Sequence, residues 1–141
     1  MSQQELREKI LQFAGTYAYS NLITIDASGF PKGRMMENIP VAKDMVFWFA
    51  TGAQSKKVQE IKNNSKVSVF MYRPSDHSSI SVQGNAQIVT NNATRNDKWK
   101  KKWTAYWKQG PIDPAYTLIK VVPKKIVYLD FPSHIQEVLD L

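Results

Sequence analysis

The chain has 141 residues, enough for one domain around a single core, and no cysteine, which excludes a disulfide framework, a thiolate nucleophile and a cysteine zinc site. Nineteen Lys and Arg against twelve Asp and Glu give a net charge of +7, which suits an anionic partner without choosing among nucleic acid, an anionic membrane and a phosphorylated small molecule. Charges at Glu5, Arg7, Glu8 and Lys9 break the apolar run that a signal peptide needs, and no apolar stretch reaches membrane-spanning length, so the expected setting is the cytoplasm.

In chain order, Leu6, Ile10, Leu11 and Phe13 recur at helical spacing and predict a short amphipathic helix over Gln3–Phe13. Strands over Ala18–Ile25 and Phe30–Ile39 flank the turn cluster Asp26, Ala27, Ser28 and Gly29, which reads as a β-hairpin. A third strand, Met45–Ala50, leads through Thr51 and Gly52 into a helix from Ser55 to about Asn63. Alternating Val67, Val69 and Met71 mark a half-buried strand over Lys66–Tyr72, and Ser79–Val89 follows, with Gly84 suited to a bulge. The next segment, Ala93–Lys108, reads as a helix ended by Gly110, Pro111 and Pro114. Strands over Tyr116–Val122 and Lys125–Asp130, separated by Pro123, precede a short helical tail from His134 to Leu141. Many short strands with few helices predict a mainly β fold, an antiparallel sheet or barrel in one domain over residues 1–141. The apolar strand residues outnumber what one small barrel interior holds, which points to a dimer interface.

The familiar catalytic sets are absent. His77 and His134 lack metal-ligand spacing, no serine sits in a glycine-flanked elbow, and the six glycines form neither G-x-G-x-x-G nor a Walker A loop. Chemistry in such a chain is expected from a bound cofactor. Lys56 and Lys57 stand in the first turn of a helix, where the dipole disfavours cations by about 0.3–1 kcal/mol each. A bound anion reverses that penalty, and the Ser55 hydroxyl with two ammonium groups and free backbone N–H groups makes a phosphate cradle. The plain alternative is that Ser55 caps the helix and the lysines are solvated. Arg34, among apolar strand residues, needs a partner for its guanidinium, either that anion or a carboxylate such as Glu37.

The segments LITIDASGFPKGRMM, MVFWFATGAQSKKVQEIKNNSKVSVF, SVQGNAQIV and GPIDPAYTLIKVVP together resemble the pyridoxamine 5′-phosphate oxidase-like FMN-binding split-barrel family, general stress protein 26 branch, over nearly the whole chain. The resemblance implies a six-stranded split β-barrel with peripheral helices, a homodimer, and FMN at the subunit interface. It implies that Arg34, Lys56 and Lys57 hold the FMN phosphate, that backbone around Met35, Met36, Ala50 and Thr51 lies along the flavin, and that Ser79 is a polar position near it. A flavin-dependent oxidoreductase acting on a small molecule, with a reduced nicotinamide as a possible donor, is the leading expectation. True pyridoxamine phosphate oxidases carry a C-terminal segment with arginine and histidine, a tryptophan where Leu129 stands, and a substrate-binding lysine on the strand matching Arg34–Ile39. None of these is found in this sequence, so vitamin B6 oxidation is not the expected reaction. The alternatives are a flavin-binding or stress-response protein without turnover, or one holding haem or a deazaflavin.

Trp99, Trp103 and Trp107, spaced by four and interleaved with Lys98, Lys100, Lys101, Lys102 and Lys108, form the second prominent feature. Such a pattern suits a single-stranded nucleic-acid platform, an interfacial membrane helix, or a plain amphipathic helix packed on the barrel. The expectation is packing, supported by the resemblance, with no membrane and no nucleic acid as partner.

Overall fold

Helix α1 (Gln3–Thr16) starts where the Ser2 side chain accepts a hydrogen bond from the Glu5 amide, and it buries Leu6, Ile10, Phe13 and Ala14 in the main core. The computed structural model describes all 141 residues. Seven strands follow: β1 (Tyr19–Ile25), β2 (Pro31–Glu37), β3 (Phe47–Gly52), β4 (Lys66–Tyr72), β5 (Ser79–Val89), β6 (Tyr116–Asp130) and β7 (Ile135–Asp140). Every paired neighbour is antiparallel, in the order β2-β1-β4-β5-β6-β3, with β7 added against β6. The first and last strands of that path, β2 and β3, approach each other without a hydrogen-bonded ladder, which makes the barrel a split one. No helix is long and apolar enough to cross a membrane.

Local chemistry sets the elements. In the β1–β2 turn the Asp26 carboxylate accepts the amides of Ser28 and Phe30, both at 2.9 Å, while Gly29 takes a φ of +85°. Strand β3 begins two residues later than its apolar run suggests. The Met45 amide donates to the Ala42 carbonyl, Asp44 Oδ1 accepts the Val46 amide and Met45 adopts a left-handed φ of 64°, so Ala42–Met45 is a turn. Along β3, Phe47, Phe49 and Thr51 face the barrel interior while Trp48 and Ala50 face out, the period of two that a strand requires.

Three expectations are corrected. The segments read as two strands around Pro123 are one, β6, because Pro123 lies opposite Gly84 at a register shift where no ladder N–H is needed. The tail from His134 to Leu141 is strand β7, not a helix, so the sheet has a seventh strand beside the six of the barrel path. The helix expected over Ala93–Lys108 stops early. Helix α3 covers Asn92–Lys98, Trp99 turns extended (φ −60°, ψ 136°), and a 3₁₀ turn over Lys101–Ala105 follows. Like charges at Lys98, Lys101 and Lys102 oppose a continuous helix by a few tenths of a kcal/mol per pair. Burying the indoles is worth far more. Trp99, Trp103 and Trp107 cluster with Tyr116 at ring-centroid distances of 5.1–6.2 Å, forming a second small core with Ile39 and Leu118.

Gly84 permits a close approach rather than an unusual φ. A Cβ there would sit 2.5 Å from the Val122 carbonyl oxygen and 2.9 Å from Pro123 Cα, both backbone atoms. Gly84→Ala is therefore expected to destabilise the fold by about 3 kcal/mol, the upper part of the overpacking range. Urea unfolding midpoints measure this, and an unchanged midpoint would show that the bulge can open without cost.

Candidate functional site

Strand alternation sends Arg34 and Met36 into one end of the barrel and Met35 and Glu37 outward. Glu37 is thus not the partner of Arg34. It accepts instead from Trp103 Nε1 at 2.8 Å and from the Lys102 ammonium, with Lys100 at 3.9 Å. The carboxylate that meets Arg34 is Glu60, on helix α2 (Lys56–Asn63).

The resulting cluster has four parts. Arg34 Nη1 donates to the Leu22 carbonyl at 3.1 Å and to Thr24 Oγ1 at 2.8 Å, while Nη2 donates to Glu60 Oε1 at 3.1 Å. Thr24 in turn donates to Glu60 Oε1 at 2.9 Å, and Lys32 Nζ reaches Glu60 Oε2 at 3.2 Å. Across the split, Lys57 Nζ donates to Thr51 Oγ1 at 2.9 Å, and the Ser55 hydroxyl lies 3.5 Å from that same oxygen. Lys56 is exposed at the helix start. Ser55 occupies the N-cap position without capping by its side chain, so its hydroxyl remains available.

The electrostatics are unbalanced. Burial pushes the Lys57 ammonium below the usual lysine range, and the nearby Arg34 charge pushes it further, with Glu60 opposing. Burial alone would raise the Glu60 carboxyl. Hydrogen bonds from Thr24 and Lys32 and the charges of Lys32 and Arg34 outweigh that and hold it below its ordinary value. Lys32 and Arg34 share the single carboxylate of Glu60 and Lys57 has none within salt-bridge distance, which leaves two positive charges uncompensated beside hydroxyls and an open helix start. A phosphate dianion fits that set in charge and in donor chemistry.

The structure brings Arg34, Thr51, Ser55 and Lys57 together and sets Lys56 beside them. Met36 is buried in the main core and Met35 is 65% exposed, but their backbone runs along the edge of β2 that faces the split, as that of Ala50 and Thr51 runs along β3. Ser79 is buried elsewhere. Thr51 pairs with Thr117 and Ser79 with Leu129, so within one chain they are held twelve residues apart along β6, roughly 40 Å of strand. Glu60, Thr24 and Lys32 were not among the residues expected from sequence. Glu60 could have been found by its position three residues after Lys57, on the side of α2 that also carries buried Val58 and Ile61.

A family model described as pyridoxamine 5′-phosphate oxidase like matches residues 5–139. No curated protein matches the chain by sequence. Among solved structures, the chain is similar to general stress protein 26 from Bacillus anthracis str. Sterne, with 32% identity, 97% of this chain and 99% of that one covered, and a TM-score of 0.82. A pyridoxamine 5′-phosphate oxidase-related, FMN binding protein from Nostoc punctiforme shares the fold at 15% identity and a TM-score of 0.64, covering 96% of this chain and 92% of that one. A heme binding protein from Mycobacterium smegmatis shares it at 11% identity and a TM-score of 0.74, covering 99% of this chain and 58% of that one.

Proposed function

The chain belongs to the pyridoxamine 5′-phosphate oxidase-like family, and on that premise we propose that it binds FMN noncovalently as a homodimer and serves a flavin-dependent redox reaction on a small molecule. The observation that carries this reading is the excess positive charge at the split: Lys32, Arg34 and Lys57 against Glu60 alone. Arg34, Lys57, Ser55 and Thr51 would hold the phosphate, with Lys56 adding field from the exposed side. Backbone of Met35, Met36, Ala50 and Thr51 would line the ring system. FMN supplies hydride and electron transfer when bound; the chain's own part is to bind, orient and shield it.

The homodimer is supported by the outer face of β1, β2 and β4, where Tyr19, Met35, Phe70 and Tyr72 are exposed together. Ser79, remote from Arg34 in its own chain, would then reach the cofactor of the partner. The proposed partners do not include nucleic acid, because the three indoles pack edge-to-face or tilted against one another and Tyr116 in a small core of their own.

Absorbance spectroscopy of the purified protein tests the cofactor. Flavin bands, present at isolation or after incubation with FMN, are the expected result, and protein that stays colourless and takes up no FMN would overturn the proposal. The haem reading draws on the likeness to a heme binding protein. Its signature is a Soret band in that same spectrum. Both histidines pack against Phe131, at ring-centroid distances of 5.6 and 5.4 Å, and His77 Nδ1 is occupied by the Tyr72 hydroxyl. Light scattering is expected to return twice the monomer mass; a monomer carrying full FMN would refute the interfacial site.

A further inference from the structure

One flank of α1 holds two opposite charges that the fold leaves unpaired. Lys9 and Asp130 line the same hollow of about 310 Å³, between α1 and the end of β6, and neither belongs to any ion pair, not even with the other. That volume is at the small end of the range for small-molecule sites, roughly 300–1,000 Å³. The hollow shares no residue with the cationic cluster at the split or with the exposed rings assigned to the dimer. Tyr128 and Asp130 alternate with Leu129, so they stand on the opposite side of β6 from Leu129 and its pairing partner Ser79.

Its walls are set before any ligand arrives. The Arg73 guanidinium donates to Asp76 at 2.9 and 3.0 Å and to the Tyr128 hydroxyl at 3.2 Å, and it lies 5.0 Å from the centre of the Phe13 ring. Those bonds use Nε and Nη2 and leave the Nη1 donors free. Tyr128 accepts from Arg73 and keeps its own proton to donate. Phe13 packs against Tyr17 at 5.4 Å and against Tyr128 at 6.1 Å, which gives the hollow an aromatic floor. Asp130 Oδ2 is committed to the Ser133 amide and hydroxyl, whereas Oδ1 has no partner. Asp76 offsets Arg73, and Asp130 is the only carboxylate in the lining to set against Lys9. A simple anion or a simple cation would thus leave one charge over, and a ligand carrying both signs would match the two.

We propose that this hollow binds a free α-amino acid with an apolar side chain. Its carboxylate meets Lys9, Arg73 Nη1 and the Tyr128 hydroxyl, its ammonium meets Asp130, and its side chain lies on the aromatic floor. Charge-assisted bonds at both ends supply the affinity, and the rings of Tyr17 and Tyr128 favour an apolar body between them. The site requires no flavin, so it stands or falls apart from the cofactor reading.

The test is calorimetric titration of the full chain with L-phenylalanine, for which saturable binding is expected. 3-Phenylpropionate, which lacks the ammonium, and phenethylamine, which lacks the carboxylate, should each bind about tenfold more weakly. Two variants assign the ends. Asp130→Asn should weaken phenylalanine by about tenfold and leave 3-phenylpropionate unchanged, while Lys9→Gln should weaken phenylalanine by about tenfold and leave phenethylamine unchanged. Lys9 is exposed and Asp130 half-buried, so both variants should keep the native unfolding midpoint. No saturable binding, equal affinity for the two truncated compounds and the amino acid, or native affinity in both variants would overturn the assignment. An Asp130→Asn chain that loses phenylalanine and 3-phenylpropionate alike would overturn it too, because Asp130 would then act through the fold and not on the ammonium.

Discussion

Protein carrying Arg34→Ala and Lys57→Ala together is expected to lose FMN binding by about 10²–10⁴-fold. Each removed side chain takes away a charge-assisted contact worth about 1.5–3 kcal/mol, and every 1.4 kcal/mol is about tenfold in affinity. Fluorescence titration of free FMN with protein gives the number, since bound flavin reports through its own emission. The single variants separate two effects. Lys57→Ala removes a cation that burial and Arg34 both disfavour and that has no carboxylate within salt-bridge distance. Its unfolding midpoint without FMN is therefore expected to stay level or rise while affinity falls. Arg34→Ala also strips Glu60 of its guanidinium and lowers both. Undiminished FMN affinity in the double variant would place the phosphate somewhere other than the split.

Much of this arrangement was legible in the sequence because strand and helix periods were clean. The alternation in Lys66–Tyr72 and the run from Ser79 to Val89 match β4 and β5 to the residue, and Asp26 with Gly29 located the hairpin. The cationic cluster was half legible. Lys56 and Lys57 betrayed it by having the wrong sign for a helix start, and Arg34 by being charged among apolar neighbours. Glu60 was legible only as a position on the buried side of α2, three residues after Lys57; its partner was not, since only the packing of α2 against β1 turns it toward Thr24. Glu37 illustrates the opposite case. Its odd spacing from Arg34 already puts the two on opposite faces of a strand, so the pairing was excluded by period alone. The tail failed for another reason. Ile135, Val138 and Leu139 sit at helical spacing, yet pairing with β6 along Lys125–Asp130 decides the conformation, and no local pattern encodes that partner.

Glu60→Ala should cost about 3 kcal/mol of stability, because it leaves Arg34, largely buried, and Lys32 without their counter-charge, and breaking a buried pair from one side is typically worth about 3–5 kcal/mol. The loss should be recoverable. A phosphate dianion can take over the role of the missing carboxylate, so saturating FMN is expected to raise the melting temperature of Glu60→Ala by more than it raises that of the native protein. Acid provides an independent check on sign. The Glu60 carboxyl is held below its ordinary value of 4.5 in the folded chain, so its contribution is fully present above that pH and is lost as pH falls through the folded-state value. The stability gap between native protein and Glu60→Gln should accordingly be constant from neutral pH down to about 5 and close below 4.5. A gap that stays open in acid would mean that Glu60 acts by shape and hydrogen bonding, not by charge. The split would then lack the electrostatic tension from which phosphate binding is proposed: one carboxylate shared among cations that a dianion would satisfy better.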